Sequence, residues 1–284
     1  MLKAIDMHIH GGPSLVPRKL LDHEVAIEAA NAGMPAVVIK SHEGSTVERA
    51  QIAQAVACNR VKVFGGIVLN SFVGGLNPFA VRSAIQMGAK IVWMPTFTAK
   101  NHLDYERSRG VLVSVLSNVC QGSDGLSVVD ECGQVLPSVI EIVDLIAQAN
   151  VVLCLGHLGL SEAKALVRVA REHGVNKILL SHPDTPFTLV PLEEQKWFVS
   201  QRVMIERCVL DLIQEHTTWS RMASDIRETG IEWNSISTDL GQRANPSPVS
   251  GLEMARSELA GCGFSEKELE RLMLLGPMSL LGLA

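Results

Sequence analysis

A chain of 284 residues with 47% hydrophobic and 19% charged residues and a mean hydropathy of +0.21 cannot be an intrinsically disordered polymer, which needs low hydrophobicity and high net charge. Its net charge of −5 and pI near 6.0 give no basic footprint for nucleic acid, and no apolar run reaches the ~18–20 residues of a membrane span. The opening MLKAIDMHIH lacks the apolar stretch of a signal peptide, so the expectation is a cytoplasmic protein with neither nucleic acid nor membrane as partner.

Short β-branched runs alternate with amphipathic stretches along the chain. Ala4–His10 reads as the first strand and Leu21–Ala32 as the first helix, followed by Ala36–Lys40 (AVVIK) and Thr46–Cys58. Val61–Leu69 is the third strand and Pro78–Met87 its helix, with proline at a first helical position where its missing N–H costs nothing. Ile91–Met94 is the fourth strand. The later units are Ser138–Ala149, then Val151–Leu155 with Ser161–His173, Lys177–Leu180 with Leu192–Gln201, Val203–Arg207 with Ser220–Glu228, and Ser235–Thr238 with Pro248–Ala260. Gly33, Gly88, Gly174, Gly230 and Gly263 follow helices as stop signals. Continuous apolar strands without alternation suit a parallel sheet covered on both faces. Eight strand–helix units in this order predict a single α/β domain over 1–284, a (β/α)8 TIM barrel. A doubly wound open sheet is the alternative, but no G-x-G-x-x-G follows the first strand.

About 40 residues, Thr96–Leu136, separate the fourth strand from its helix, and long insertions of this kind sit over a barrel's mouth. They are expected to form a lid, with a small hairpin turning at Glu131-Cys132-Gly133. Six cysteines (58, 120, 132, 154, 208 and 262) contain no C-x-x-C pair and read as reduced thiols, Cys154 and Cys208 being core residues. Low charge with a high apolar fraction points to a homo-oligomer, a dimer or larger.

Strand ends carry the chemistry in a barrel. Five of the nine histidines fall there: His8, His10, His42, His157 and His182, with Asp239 after the last strand. His8 and His10, two apart on one strand, project to one face. Neutral imidazoles with a carboxylate form a typical divalent-metal shell.

These residues resemble the amidohydrolase superfamily of metal-dependent barrel hydrolases, in a branch of largely uncharacterised members. The resemblance rests on His8-Ile9-His10, His157, His182 and Asp239 in strand order, and on the closing GPMSLLGL (Gly276–Leu283). It implies that His8 and His10 hold a buried metal, and that His157 and His182 hold a second one or share ligation and transition-state stabilisation. Asp239 would bind metal and act as general base towards an activated water. The implied cofactor is one or two divalent ions, Zn²⁺ above all, with Mn²⁺ or Fe²⁺ as alternatives. The implied function is hydrolysis of an amide, ester, lactone or related bond in a small molecule. A decarboxylase of the same superfamily and a catalytically silent ligand-binding barrel are the alternatives.

The usual bridging lysine or glutamate at the fourth strand's end is missing, since that end reads Trp93-Met94-Pro95-Thr96. Lys40 is the substitute, as metal ligand and catalytic group. Its three fates are carbamylation and bridging, a charged role against an anionic substrate, or escape of the ammonium to solvent. His42, Asn70, Glu206 and Arg243 are expected to contact substrate. Asp6, on the same strand as His8, is expected on the same face but deeper. Asp184 is expected to cap a turn.

Overall fold

The computed structural model describes residues 2–110 and 124–283; the middle of the expected lid, with Cys120, lies outside them. All strand pairings are parallel. The strands are β1 (Ile5–Ile9), β2 (Ala36–Ile39), β3 (Lys62–Phe64), β4 (Gly66–Val68), β5 (Ile91–Trp93), β6 (Val152–Cys154), β7 (Ile178–Ser181), β8 (Met204–Cys208) and β9 (Asn234–Ser237). They run in the order β1-β2-β3 and β4-β5-β6-β7-β8-β9. The third expected strand is thus split into two halves at Gly65. A Cβ there would lie 2.4 Å from the Thr46 carbonyl oxygen, so only glycine admits the approach of the loop that follows β2. The first and last strands meet through Asp239 N donating to His8 O (2.8 Å) and His10 N donating to Leu240 O (2.8 Å). The architecture is the expected α/β barrel of parallel strands.

All eight helices expected from periodicity form, within a residue or two of the expected bounds. Among the described residues, three helical segments longer than a single 3-10 turn were not expected, besides the short turns Ser71–Val73 and Ile231–Trp233. Lys100–Ser108 follows β5, Val209–Ile213 follows β8, and a run from Glu266 through Leu281 ends the described chain with a π-helical turn at Arg271–Leu275. In that last run Leu280 and Leu281 pack with Ile5, Ala36, Ile91 and Met204 in the barrel interior. These partners begin their strands or lie near the beginning, so the last helix seals the end of the barrel opposite the strand C-termini. The expected hairpin is present in miniature: Val129 and Val135 form an antiparallel bridge, and Asp130 N donates to Gln134 O (2.9 Å).

The pairing of β1 with β2 slips by one residue between Asp6 and Ile9. This bulge changes which way the strand faces. Ile5 and Met7 pack into the interior with Val38 and Trp93. Ile9 packs among residues of the surrounding helices, Val25, Ala26 and Leu252, which leaves His8 and His10 facing inward on either side of it. Asp6 therefore does not share a face with His8 as a simple strand would dictate. Its buried carboxylate accepts from Thr238 Oγ1 (2.6 Å), Thr238 N (3.1 Å) and His8 N (3.1 Å). Burial raises its pKa to about 7, against the pull of the Thr238 and His8 donors.

Asp6 thus pins the first strand to the residue preceding Asp239. Asp6→Ala strands three buried donors, and each such loss costs on the order of 1 kcal/mol or more. A fall in unfolding free energy of about 3 kcal/mol is expected, read as a lowered denaturant midpoint. An unchanged midpoint would show that the seam is held by its backbone bonds alone.

Candidate metal centre and cavity

The inward positions near the strand C-termini are polar, where the deeper ones are apolar. His8, Lys40, Ser181, Glu206, Cys208, Ser237 and Asp239 replace the valines and leucines of the layer beneath, and apart from Asp239 all are at most 1% exposed. Such a layer can persist in a core only if its members satisfy one another or an ion.

One carboxylate oxygen organises it. Asp239 Oδ1 stands 3.0 Å from His8 Nε2 and 2.9 Å from His10 Nε2. Burial opposes its charge, yet the His8 and His10 imidazoles hold the Asp239 carboxyl well below the usual range. Behind His8, Glu206 Oε2 faces Nδ1 at 3.0 Å and accepts from Ser181 Oγ at 2.6 Å. A donor bond from Nδ1–H to Glu206 fixes the tautomer and leaves the Nε2 lone pair pointing at Asp239, the arrangement that prepares a histidine for ligation. Burial lowers and the Asp239 charge raises the His8 pKa, which ends at about 9, so near neutral pH a proton occupies the place between Nε2 and Asp239 that a bound ion would take. His10 differs, its pKa being driven well down by burial and by nearby Arg18.

Lys40 is 1% exposed, with Nζ 2.9 Å from His8 Nε2 and 5.8 Å above the Trp93 ring. Escape to solvent is therefore not its fate. Cys208, expected as an inert core thiol, offers its sulfur with His8 and Asp239 so that the three donor atoms lie within 4.8 Å of one another. Imidazole nitrogen, carboxylate oxygen and thiol sulfur together suit a borderline divalent ion. By the chemistry of its donors, the site fits a metal.

The five strand-end histidines form a closed circuit of rings. Centroid separations run 5.2 Å from His8 to His10, 4.6 Å to His42, 6.3 Å to His157, 5.0 Å to His182 and 5.9 Å back to His8. A sixth, His102 from the helix Lys100–Ser108, joins through Nδ1, 3.0 Å from Nδ1 of His157. Burial drives the pKa values of His42 and His157 well down and that of His102 to about 4, so these rings are neutral near pH 7.

Above the circuit lies a cavity of about 360 Å³, a small-molecule volume. His10, Lys40, His42, His157 and Asp239 line it, whereas His8 and His182 stand behind the lining. His42 stacks between His10 and Phe97, 3.7 Å from the latter ring, and its Nδ1 meets Thr96 Oγ1 at 2.8 Å. The insertion after β5 supplies Phe97, His102, Tyr105 and Glu106 to the walls.

Three expected substrate contacts sit elsewhere. Asn70 is buried and fully used, donating to His42 O and Thr96 Oγ1 and accepting from Thr96 N, Thr98 N and Thr98 Oγ1. It ties the β4 loop to the β5 loop. Glu206 lies behind His8 and out of the cavity lining. Arg243 is exposed and outside the cavity lining, next to Gln242, which belongs to it. Asp184 is drawn to Arg207 (3.4 Å) rather than to a turn. The cavity's arginine is Arg18, a loop residue that carried no periodic signal.

A family model described as a family of unknown function (DUF6282) matches residues 3–206. The chain belongs to that family. No curated protein matches the sequence. Among solved structures, the family member described here is similar to an amidohydrolase from Pseudomonas aeruginosa at 13% identity, with a TM-score of 0.61 over 98% of this chain and 95% of that one. It is also similar to N-acetyl-D-glucosamine-6-phosphate deacetylase from Mycobacterium smegmatis, at 16% identity and a TM-score of 0.59 over 99% and 76% of the two chains. A third likeness is to a mutant organophosphorus hydrolase from Deinococcus radiodurans, at 11% identity and a TM-score of 0.57 over 99% and 93%. At such identities the likeness is one of fold. Among the described residues of this family member, no helix is long and apolar enough to cross a membrane.

Proposed function

We propose that this protein is a metal-dependent hydrolase of the amidohydrolase type, cleaving an amide, ester, lactone or related bond of a small molecule. The observation that carries the reading is the contact of two imidazole nitrogens with one carboxylate oxygen, at 3.0 and 2.9 Å, beside a cavity of small-molecule size. The shared fold of solved amidohydrolase and deacetylase structures supports it.

His8, His10 and Asp239 would hold one divalent ion, with Cys208 within reach and His157 and His182 available to a second. When bound, Zn²⁺ or a similar ion lowers the pKa of a coordinated water towards ~7 and polarises a carbonyl. The remaining work belongs to side chains. Asp239, kept ionised by its imidazole neighbours, takes a proton from the attacking water and returns it to the leaving group. Glu206 keeps His8 in its ligating tautomer through Nδ1. Lys40, buried at His8, holds a developing oxyanion as an ammonium or adds an oxygen ligand as a carbamate. His182, beside His157 in the ring circuit and behind the cavity lining, would ligate a second ion or stabilise developing charge through His157. Phe97, Phe187 and the rest of the walls keep bulk water out.

Purified protein should carry one or two equivalents of Zn²⁺, Mn²⁺ or Fe²⁺ by elemental analysis. Stripping with a chelator should abolish turnover of a panel of lactones, esters and amides, and restoring the ion should recover it. Release of CO₂ without water addition would replace the hydrolase reading with a decarboxylase. Full metal loading with no turnover would favour a binding barrel.

A further inference from the structure

Arg18 is placed by its backbone and left idle by its side chain. Lys19 N donates to Gly241 O (2.8 Å), and Arg18 bridges antiparallel to Gln242, so the loop after β1 is laced to the loop after β9. Gly241 makes this possible: with φ +150, a Cβ there would fall 1.8 Å from the His10 carbonyl oxygen. The lacing puts the guanidinium in the cavity wall beside His10 and Asp239. Yet among the described residues its side chain makes one hydrogen bond, Nε to Ser14 Oγ at 3.3 Å. Among the described residues no carboxylate forms an ion pair with it. The two acids whose charges it feels are engaged elsewhere, Asp239 with His8 and His10, and Glu43 with the backbone N–H of Leu15 (2.7 Å). A half-buried guanidinium with its terminal donors unused is an unpaid desolvation cost unless a ligand supplies the acceptor.

The surroundings say what kind of ligand. Lys40 is the other cation of the lining, and Glu106 stands across from His102, 4.0 Å from its Nε2. The walls flanking these groups are aromatic: Phe97 stacked on His42, and Phe187 with its ring 4.5 Å from those of both His102 and His157 and 6.1 Å from that of Tyr105. One fork-shaped cation beside flat apolar walls matches one planar anion joined to a flat apolar body. A carboxylate is met by two parallel donors of one guanidinium fork, and the lining's second cation, Lys40, is engaged at His8 (2.9 Å).

Resting on the hydrolase reading above, we infer that the substrate is a small carboxylate-bearing molecule with a planar apolar body, its carboxylate held by Arg18 and its body between Phe97 and Phe187. Arg18 is then the residue that selects the acid over neutral analogues, and the reacting bond lies at the His10–Asp239 side of the cavity.

The test is calorimetric titration of metal-loaded protein with benzoate, benzamide and inorganic phosphate, in wild type, Arg18→Gln and Arg18→Lys. Benzoate is expected to bind wild type and to weaken about tenfold or more in Arg18→Gln, the scale of losing a charged hydrogen-bonded partner. Arg18→Lys, which keeps the charge without the fork, should fall between them, and benzamide should bind all three alike. Equal benzoate affinity in the three proteins, or no benzoate binding to wild type, overturns the inference. Phosphate binding tighter than benzoate with the same Arg18 dependence overturns its carboxylate part. Melting curves show whether each variant is folded, and Arg18→Lys carries the comparison if Arg18→Gln is not. Metal content of the same samples separates the two readings: a wild type without metal defeats the hydrolase, while the dependence on Arg18 is read from the titrations alone.

Discussion

Replacing His8 and His10 together by alanine is expected to remove most of the bound divalent metal, with the fold retained. Both imidazoles meet one oxygen of Asp239, so the double change takes two of three touching donors and leaves the carboxylate and the Cys208 thiol. The surviving pair cannot complete the three or four protein ligands that a divalent site uses. The barrel should tolerate the loss, because His8 and His10 contribute to the closing seam through backbone O and N. Elemental analysis beside circular dichroism checks both halves. Metal content equal to wild type in a folded double variant would remove the site from this corner of the barrel.

The second large effect is at Asp239. Asp239→Asn preserves shape and one coordinating oxygen but cannot accept a proton near neutral pH, whereas the native carboxyl is held ionised far below that range. A fall in kcat of roughly 10²–10⁴-fold is expected, the contribution of a positioned general base, with metal content at least partly kept. Near wild-type turnover by a metal-loaded Asn variant would make Asp239 a ligand only, and the base would then be sought at His182 or His42. Single-turnover rates and metal content measured on one preparation decide between these.

Most of the strands were legible because they are short apolar runs buried on both faces, β3 with its exposed Lys62 being an exception. The bulge in β1 was not, since nothing in Asp6-Met7-His8 marks an extra residue; it depends on how β1 packs against β2. That one slip moved Asp6 from a place beneath the histidines to the seam with Thr238. The helix Lys100–Ser108 (KNHLDYERS) escaped notice because it is polar almost throughout and buries only His102 and Leu103. With it went the reading of His102, whose meeting with His157 is made by tertiary contact. The strand-end histidines and Asp239 were legible from position, because the fold directs every strand's C-terminal end to one mouth. Arg18 and Arg243 look alike in sequence, each in a loop after a strand that carries or precedes proposed ligands. Only the lacing of one loop to the other distinguishes the half-buried arginine from the exposed one. Cys208 was read by its apolar neighbours, and its parity with Glu206 was the signal passed over.

The seam between β1 and the segment after β9 has a consequence for how the protein comes into being. His8 and His10 leave the ribosome early and Asp239 late, and the carboxylate reaches the imidazoles only when the last strand pairs with the first. Until then the nascent chain has half of the proposed metal site and an open sheet edge. Contacts so distant in sequence pay a large loop-closure cost before they return anything, which slows folding. An ion held from both sides would favour that final step alone, since it would bind the closed ring and not its open precursor. Metal supply would then govern how long the ring stays shut, as well as how fast it works.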